Sequence, residues 1–248
     1  MNKLIDRLKD IRLVRAIVYM VVGSFTYPGL NMINRVKIEG SEHLANLPKN
    51  NVLIVSNHQT YFAEVITFLH IFCAVKWRKK NKLGIPYYLL NPFTGVFFVS
   101  ASETMKKNLI TRIFALAGSI TVRRTWNEKS KEVRQGLDPS DTRKIVRALN
   151  NSWVINFPQG TTKNFAPGRK GTVLLMKLTN PIVIPIIVDG FSTAFDNKGL
   201  RFRKKGTVLS IKIKPPLEID YNASNDELME QIMLSIGQSQ TQRTPNVL

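Results

Sequence analysis

Val52-Leu53-Ile54-Val55 is a run of four β-prone apolar residues with no polar alternation, and it reads as a buried strand. The run stops at Ser56-Asn57. His58 follows, then five residues, then Glu64 at the start of a helical pattern over residues 64–75. A strand end, a polar turn and a helix start, in that order, are where an α/β fold presents reactive groups. The same punctuation recurs along the chain. Strands are expected over residues 36–38, 87–90, 119–122, 154–157, 181–188 and 207–214. Helices are expected over residues 109–117, 140–149, 172–178 and 225–236. Ser140-Asp141-Thr142-Arg143 can cap one helix, and Asp226-Glu227 suit the first turn of another. Strands alternate with helices, so the fold class is α/β: a mixed, mostly parallel sheet flanked by helices.

The 248 residues fit a single α/β domain over residues 31–238, preceded by a distinct segment over residues 1–30. The end is rich in Gln, Ser and Thr from Gly237 onward and reads as frayed, with residues 239–248 as a flexible tail. An apolar content of 44% excludes a disordered chain. Lys and Arg number 36 against 17 Asp and Glu, a net charge of +19. Such an excess points to an anionic partner: nucleic acid, an anionic membrane surface or a phosphorylated substrate. Basic runs at residues 77–82 and 201–205 would serve nucleic acid, but aromatic interleaving is sparse and no recognition motif accompanies them, so no nucleic-acid partner is expected. The single cysteine, Cys73, excludes an internal disulfide and a multi-cysteine zinc site. It lies in an apolar run and reads as a small core residue.

In the first segment, Leu4, Ile5, Leu8 and Ile11 recur at helical spacing among Lys3, Arg7, Lys9 and Arg12, a basic amphipathic pattern. Residues 13–25 are then largely apolar, interrupted by Arg15, weakened at Gly23-Ser24 and closed by Pro28-Gly29. That stretch is shorter than the roughly 20 apolar residues a spanning helix needs. No small-residue cleavage site follows it, so a signal peptide is not expected. It reads as a membrane-associating helix lying in the bilayer interface, or as a helix packed on the protein's own core. The expected location is a membrane surface, monotopic or peripheral, on the cytoplasmic side.

Three strand ends carry chemistry. A carboxylate near an imidazole fixes its tautomer and raises its basicity, so His58 with Glu64 can form a general base; the same residues also describe a capped helix beside an ordinary turn histidine. The strand at 119–122 delivers Arg123 and Arg124, suited to forked contacts with phosphate, or simply a solvated loop. After the strand at 154–157, Pro158 and Gly160 force a turn in which Thr161, Thr162 and Lys163 offer donors. That turn can wrap an anion or be a plain glycine turn. His43 and His70 read as structural.

Taken together and in this order, these segments resemble the glycerolipid acyltransferase family, of the 1-acyl-sn-glycerol-3-phosphate acyltransferase type. The family's first block is Asn-His, four residues, then Asp; here Asn57-His58 fits, with Glu64 after five residues. The second block, a strand with a glycine, apolar alternation and an arginine, is matched by Gly118, Ile120, Val122 and Arg123 or Arg124. The third, Phe-Pro-Glu-Gly-Thr-Arg, is matched by Phe157, Pro158, Gly160 and Thr161; Gln159 and Thr162 depart from it. The fourth is an apolar strand with a central proline, as in Val183-Ile184-Pro185-Ile186-Ile187. The blocks span about residues 50–190, and no Gly-x-Ser-x-Gly elbow is present.

The resemblance implies an O-acyltransferase that moves a fatty acyl group from a thioester to a lysophospholipid hydroxyl, first of all 1-acyl-glycerol-3-phosphate, in membrane lipid synthesis. It implies that Glu64 orients His58 and that His58 takes the hydroxyl proton. Arg123 and the Gly160-Thr161 turn would hold the acceptor's phosphate, with Arg124, Gln159, Thr162 and Lys163 beside them. Lys163, Arg169 or Lys170 would replace the lost arginine. No metal and no cofactor is implied; acyl-CoA or acyl carrier protein is the co-substrate. The altered third block leaves room for another acceptor, such as an amino-acid lipid. A non-enzymatic basic membrane-binding protein shares the charge and the first helix but leaves the ordered motifs unexplained.

Overall fold

The computed structural model describes residues 11–101, 109–122 and 138–243. The basic amphipathic pattern lies outside them except for Ile11 and Arg12. Seven strands form one sheet: β1 (Arg35–Glu39), β2 (Val52–Ser56), β3 (Val96–Ala101), β4 (Ser119–Val122), β5 (Trp153–Asn156), β6 (Ile182–Asp189) and β7 (Val208–Ile213). Their order is β1-β7-β6-β2-β5-β3-β4. β2 to β6 run parallel; β7 pairs antiparallel with β6 and parallel with β1, so β1 and β7 run against the other five. The sheet is mixed and mostly parallel, as expected.

β2 sits between β6 and β5 with every residue buried. Its alternation has no polar side because both faces are covered by helices. Val52 and Ile54 pack into one core with α1 (Arg12–Pro28), α2 (Ala63–Lys76) and α3 (Leu109–Leu116), through Tyr19, Phe68 and Phe114. Leu53 and Val55 pack into the other core with α4 (Pro139–Leu149), α5 (Lys170–Thr179) and α7 (Asn225–Ser235), through Ile145, Met176 and Ile232. A short α6 (Phe191–Ala194) follows β6.

Local chemistry explains where the elements depart from expectation. The strand expected at residues 87–90 is a 3-10 turn, Pro86–Leu90, because Pro86 sits at its first position and pre-sets a helical φ. The strand of this region is β3, further on. α4 is capped by Asp138, whose carboxylate accepts the Ser140 N–H, rather than from Ser140 onward. α7 has the full reciprocal cap between Ser224 and Glu227. The end of the chain is not frayed at Gly237: Gln238 and Ser239 are buried, with the Ser239 hydroxyl bonded to Glu230.

Pro28-Gly29 does not close the first helix. α1 continues through a π-helical turn, Gly29–Ile33, and the whole run Arg12–Ile33 is 22 residues, with a mean hydropathy of 1.4 over its most apolar 18 residues, long and apolar enough to cross a membrane by length and composition. The wider turn accommodates the missing Pro28 N–H, and Asn34 closes it by donating backbone and side-chain N–H to Gly29 O. One stripe of α1 packs on the protein. Arg15 lies over the Phe97 ring, the Tyr19 hydroxyl donates to Ala117 O, and Gly23 admits the Leu89 side chain. The opposite stripe, Leu13, Ile17, Met20, Val21, Phe25 and Met32, is apolar and exposed.

Candidate active site

The parallel strands β2, β5 and β6 all end at the same edge, and the residues singled out in the sequence gather there. Asn57 is the first residue past β2. Its side-chain amide donates to Val188 O and accepts from Val188 N–H, both at 2.8 Å, so it extends the β2–β6 ladder by one side chain. Gln59 is held in the same way. It donates to the Asp189 carboxylate and accepts the N–H groups of Phe191 and Ser192 at the start of α6. His58 lies between two anchored neighbours, and its backbone position is fixed on both sides.

Glu64, in the first turn of α2, is fully buried and turns back toward this loop. Its carboxylate accepts the Gln59 N–H at 2.6 Å, the Thr60 N–H at 2.5 Å and the Thr60 hydroxyl at 2.6 Å. Phe62, the residue before the helix, supplies no cap. Glu64 therefore satisfies the N–H groups of the preceding turn from inside the helix, where a carboxylate also gains from the helix dipole. The extra residue before Glu64 is absorbed by this turn. The carboxylate Oε1 reaches to 3.9 Å from His58 Nδ1, close enough for electrostatics and too far for a hydrogen bond. His58 Nδ1 is buried without a hydrogen-bond partner.

The imidazole plane is set by Phe157, the first residue past β5, which stacks on it at 3.9 Å between centroids and 23° between planes. Burial drives the two titrating groups in opposite directions. It lowers the His58 pKa from 6.5 to about 3. It raises that of Glu64 from 4.5 to about 7, against the lowering by the Thr60 hydroxyl and the Thr60 and Gln59 N–H groups. Near neutral pH the imidazole is uncharged.

The third motif forms a tight turn. The Gly160 N–H bonds Phe157 O, and the φ of Gly160 is +60°. The Arg169 guanidinium lies against this glycine; its Nε donates to Gln159 O at 3.0 Å and an Nη donates to Gly160 O at 3.4 Å. A Cβ at position 160 would come within 2.6 Å of Arg169 Nε and would displace the guanidinium, while the positive φ itself favours glycine. Arg169 thus brings a positive charge over the turn in a motif that carries Thr162 where the family has arginine. The Gln159 side chain points away from solvent. Its amide donates to Ala166 O at 2.9 Å and to the Gln238 side-chain oxygen at 3.1 Å, and that oxygen also accepts the Phe165 N–H. Two acceptors facing position 159 call for a donor, which a glutamate carboxylate would not supply. Thr161 is half-buried and accepts the Lys163 N–H, while Thr162 is half-buried and Lys163 exposed. Arg123 and Arg124 lie outside the described residues.

Asn57, Thr60, Phe157 and Gln238 are the functional or supporting residues that motif reading leaves without a role. Only Phe157, an aromatic at the end of β5, carries a signal that could have been read as a partner for the histidine. His70 is structural. Its ring nitrogens meet the Tyr88 hydroxyl at 3.0 Å and the Thr26 hydroxyl at 3.2 Å, tying α2 to α1. Cys73 is buried, and burial pushes its thiol up to about 12. Among the described residues, no three His, Cys, Asp or Glu side chains come together to hold a metal ion.

A strand-end imidazole thus stands beside a buried carboxylate and a glycine turn that carries an arginine. A family profile described as Acyltransferase matches residues 35–189, more than half of the chain, and the chain belongs to that family. Among solved structures it is similar to the 1-acyl-sn-glycerophosphate (LPA) acyltransferase PlsC from Thermotoga maritima. The identity is 17%, the TM-score 0.50, and the match covers 95% of this chain and 80% of that one, a likeness of fold. Compared with curated proteins, the chain matches none.

Proposed function

We propose that this acyltransferase moves a fatty acyl group from a thioester to the free hydroxyl of a lysophospholipid, with 1-acyl-glycerol-3-phosphate as the first acceptor. The observation that carries the reading is the His58 imidazole, uncharged, stacked on Phe157, with Glu64 Oε1 3.9 Å from its Nδ1. The hydroxyl proton passes to the other ring nitrogen as the hydroxyl oxygen attacks the thioester carbonyl. The new C–O ester bond forms, the C–S bond breaks, and the proton leaves with the thiol. The positive charge that develops on the ring is stabilised by the Glu64 carboxylate, to which Nδ1–H closes when substrate is bound. No covalent acyl-enzyme is required.

The acceptor phosphate is assigned to the Gly160 turn, with Thr161, Thr162 and Lys163 and the Arg169 guanidinium, and to Arg123 with Arg124. The buried Gln159 supports the turn. The donor is acyl-CoA or acyl carrier protein, both acidic and suited to a chain of net charge +19. The exposed apolar stripe of α1 supports a monotopic or peripheral seat on a membrane. The cytoplasmic side is proposed with it and does not rest on that stripe. A second reading, an acyltransferase for an amino-acid lysolipid, draws on the absence of arginine at position 162. Turnover with acyl-CoA and with acyl carrier protein, each offered 1-acyl-glycerol-3-phosphate and an amino-acid lysolipid, tests both. Product only with the phosphate acceptor supports the first reading; product only with the other supports the second. No product with either donor contradicts both.

A further inference from the structure

The basic run at residues 201–205 takes no part in the chemistry above, and its position is specific. It belongs to the loop between α6 and β7. Because β7 runs antiparallel to β6, this loop emerges at the sheet edge that carries His58. One side of the loop touches the catalytic turn: Asn197 O accepts the Tyr61 N–H at 3.0 Å, and Gly199 lies so close that a Cβ there would come within 2.6 Å of Thr60 Oγ1. The other side is fastened to the end of the first helix. Gly206 N–H donates to Ile33 O at 2.9 Å, Thr207 N–H donates to Asn34 Oδ1 at 3.1 Å, and the Phe202 ring lies against Gly29.

What the loop presents outward is uniform. Lys198, Arg201, Arg203, Lys204 and Lys205 are exposed, five cations, and Leu200 and Phe202 are exposed beside them. The one acid in residues 195–206, Asp196, has its carboxylate engaged by the Leu200 and Arg201 N–H groups of the loop itself. The net charge of the segment is therefore 5 − 1 = +4. Met32, on the neighbouring π-helical turn, is 74% exposed and continues the apolar surface. Aromatic and aliphatic tips among lysines and arginines suit a surface whose outer layer is anionic and whose next layer is apolar.

We propose that residues 196–206 are a docking loop for an anionic bilayer, the cations reading lipid headgroups and Phe202 entering the interface, so that binding seats the His58 turn at the membrane surface. The proposal deepens the lysophospholipid reading and rests on it for the role of that seating. The docking itself is tested without turnover. Full-length protein is sedimented with phosphatidylcholine vesicles and with vesicles containing phosphatidylglycerol. Wild type is expected to prefer the anionic vesicles and to be released by salt. Lys204→Gln combined with Lys205→Gln is expected to lower the anionic partition coefficient about 30-fold, two contacts of about 1 kcal/mol each. Phe202→Ser is expected to weaken binding to both vesicle types.

The doubly substituted protein should turn over a soluble short-chain lysolipid at the wild-type rate while losing turnover of an acceptor embedded in vesicles. Unchanged vesicle binding in that variant, or a wild type that binds oligonucleotides and not vesicles, overturns the docking loop. If vesicle binding falls as expected but neither acceptor is ever acylated, the loop stands and the activity reading fails.

Discussion

His58 Nδ1 and Glu64 Oε1 stand 3.9 Å apart, both buried, with the carboxylate held by Gln59 and Thr60 and the ring nitrogen without a partner. The pair is poised and not joined. An orphaned buried ring nitrogen is costly, and a small rotation of the imidazole on the Phe157 ring would bring it to the carboxylate. The catalytic consequences of that arrangement are specific.

The acid limb of the pH profile should belong to Glu64. His58 stays uncharged down to about pH 3, whereas Glu64 ionises around pH 7. The ratio kcat/KM should therefore rise with pH through about 7. Glu64→Gln should lower it about 10²-fold and abolish that limb. Stability moves the other way: the raised Glu64 pKa adds stability fully present below 4.5 and lost as pH rises through about 7. Denaturation midpoints of wild type and Glu64→Gln across this range check the sign.

Phe157 is expected to act by holding the imidazole plane. Phe157→Ala should leave the fold intact by circular dichroism and lower kcat about 10²-fold, the usual penalty for a misplaced catalytic group. Phe157→Tyr, which keeps the stacked ring, should recover most of the rate. Equal losses in both would mean the stack is incidental.

Asn57 bonds both polar groups of Val188. Asn57→Ala leaves a buried N–H and a buried carbonyl unpaired, a destabilisation of about 2–4 kcal/mol. Urea denaturation measures it. A change within about 0.5 kcal/mol would show that the strand end does not need this side chain.

Restoring the family's residue at position 159 should harm this protein. In Gln159→Glu the buried carboxyl group would face the carbonyls of Ala166 and Gln238, costing about 2–4 kcal/mol. The new carboxyl group would have a raised pKa, so the loss should deepen as pH rises. Pairing it with Gln238→Lys is expected to return part of the stability.

The sheet was legible where residues are buried on both faces: β2 and β6 announce themselves because Val52-Leu53-Ile54-Val55 and Val183-Ile184 have no polar side to show. The segment at residues 87–90 reads as a strand because Tyr87 and Tyr88 are β-prone, but tertiary burial of Tyr88 and Leu89 against α1 and α2 outweighs that preference. Pro28 looked like a stop because the compensation, a π-helical turn closed by Asn34, depends on geometry that spacing does not encode. In the site, His58, Glu64 and the Gly160 turn could be found from motif order. Gln238 could not, since it lies 79 residues from Gln159 and meets it only after folding. The same holds for Gly199 and Thr60, which touch across the sheet edge.

The central claim is that His58 is the proton acceptor of acyl transfer. It is tested most directly by single-turnover transfer of a labelled acyl group from a thioester donor to a lysophospholipid by wild type and His58→Ala at matched folded concentration. The expected result is transfer by wild type and a loss of about 10³-fold or more in the variant, with its denaturation midpoint retained. Transfer at the wild-type rate by His58→Ala would contradict the account.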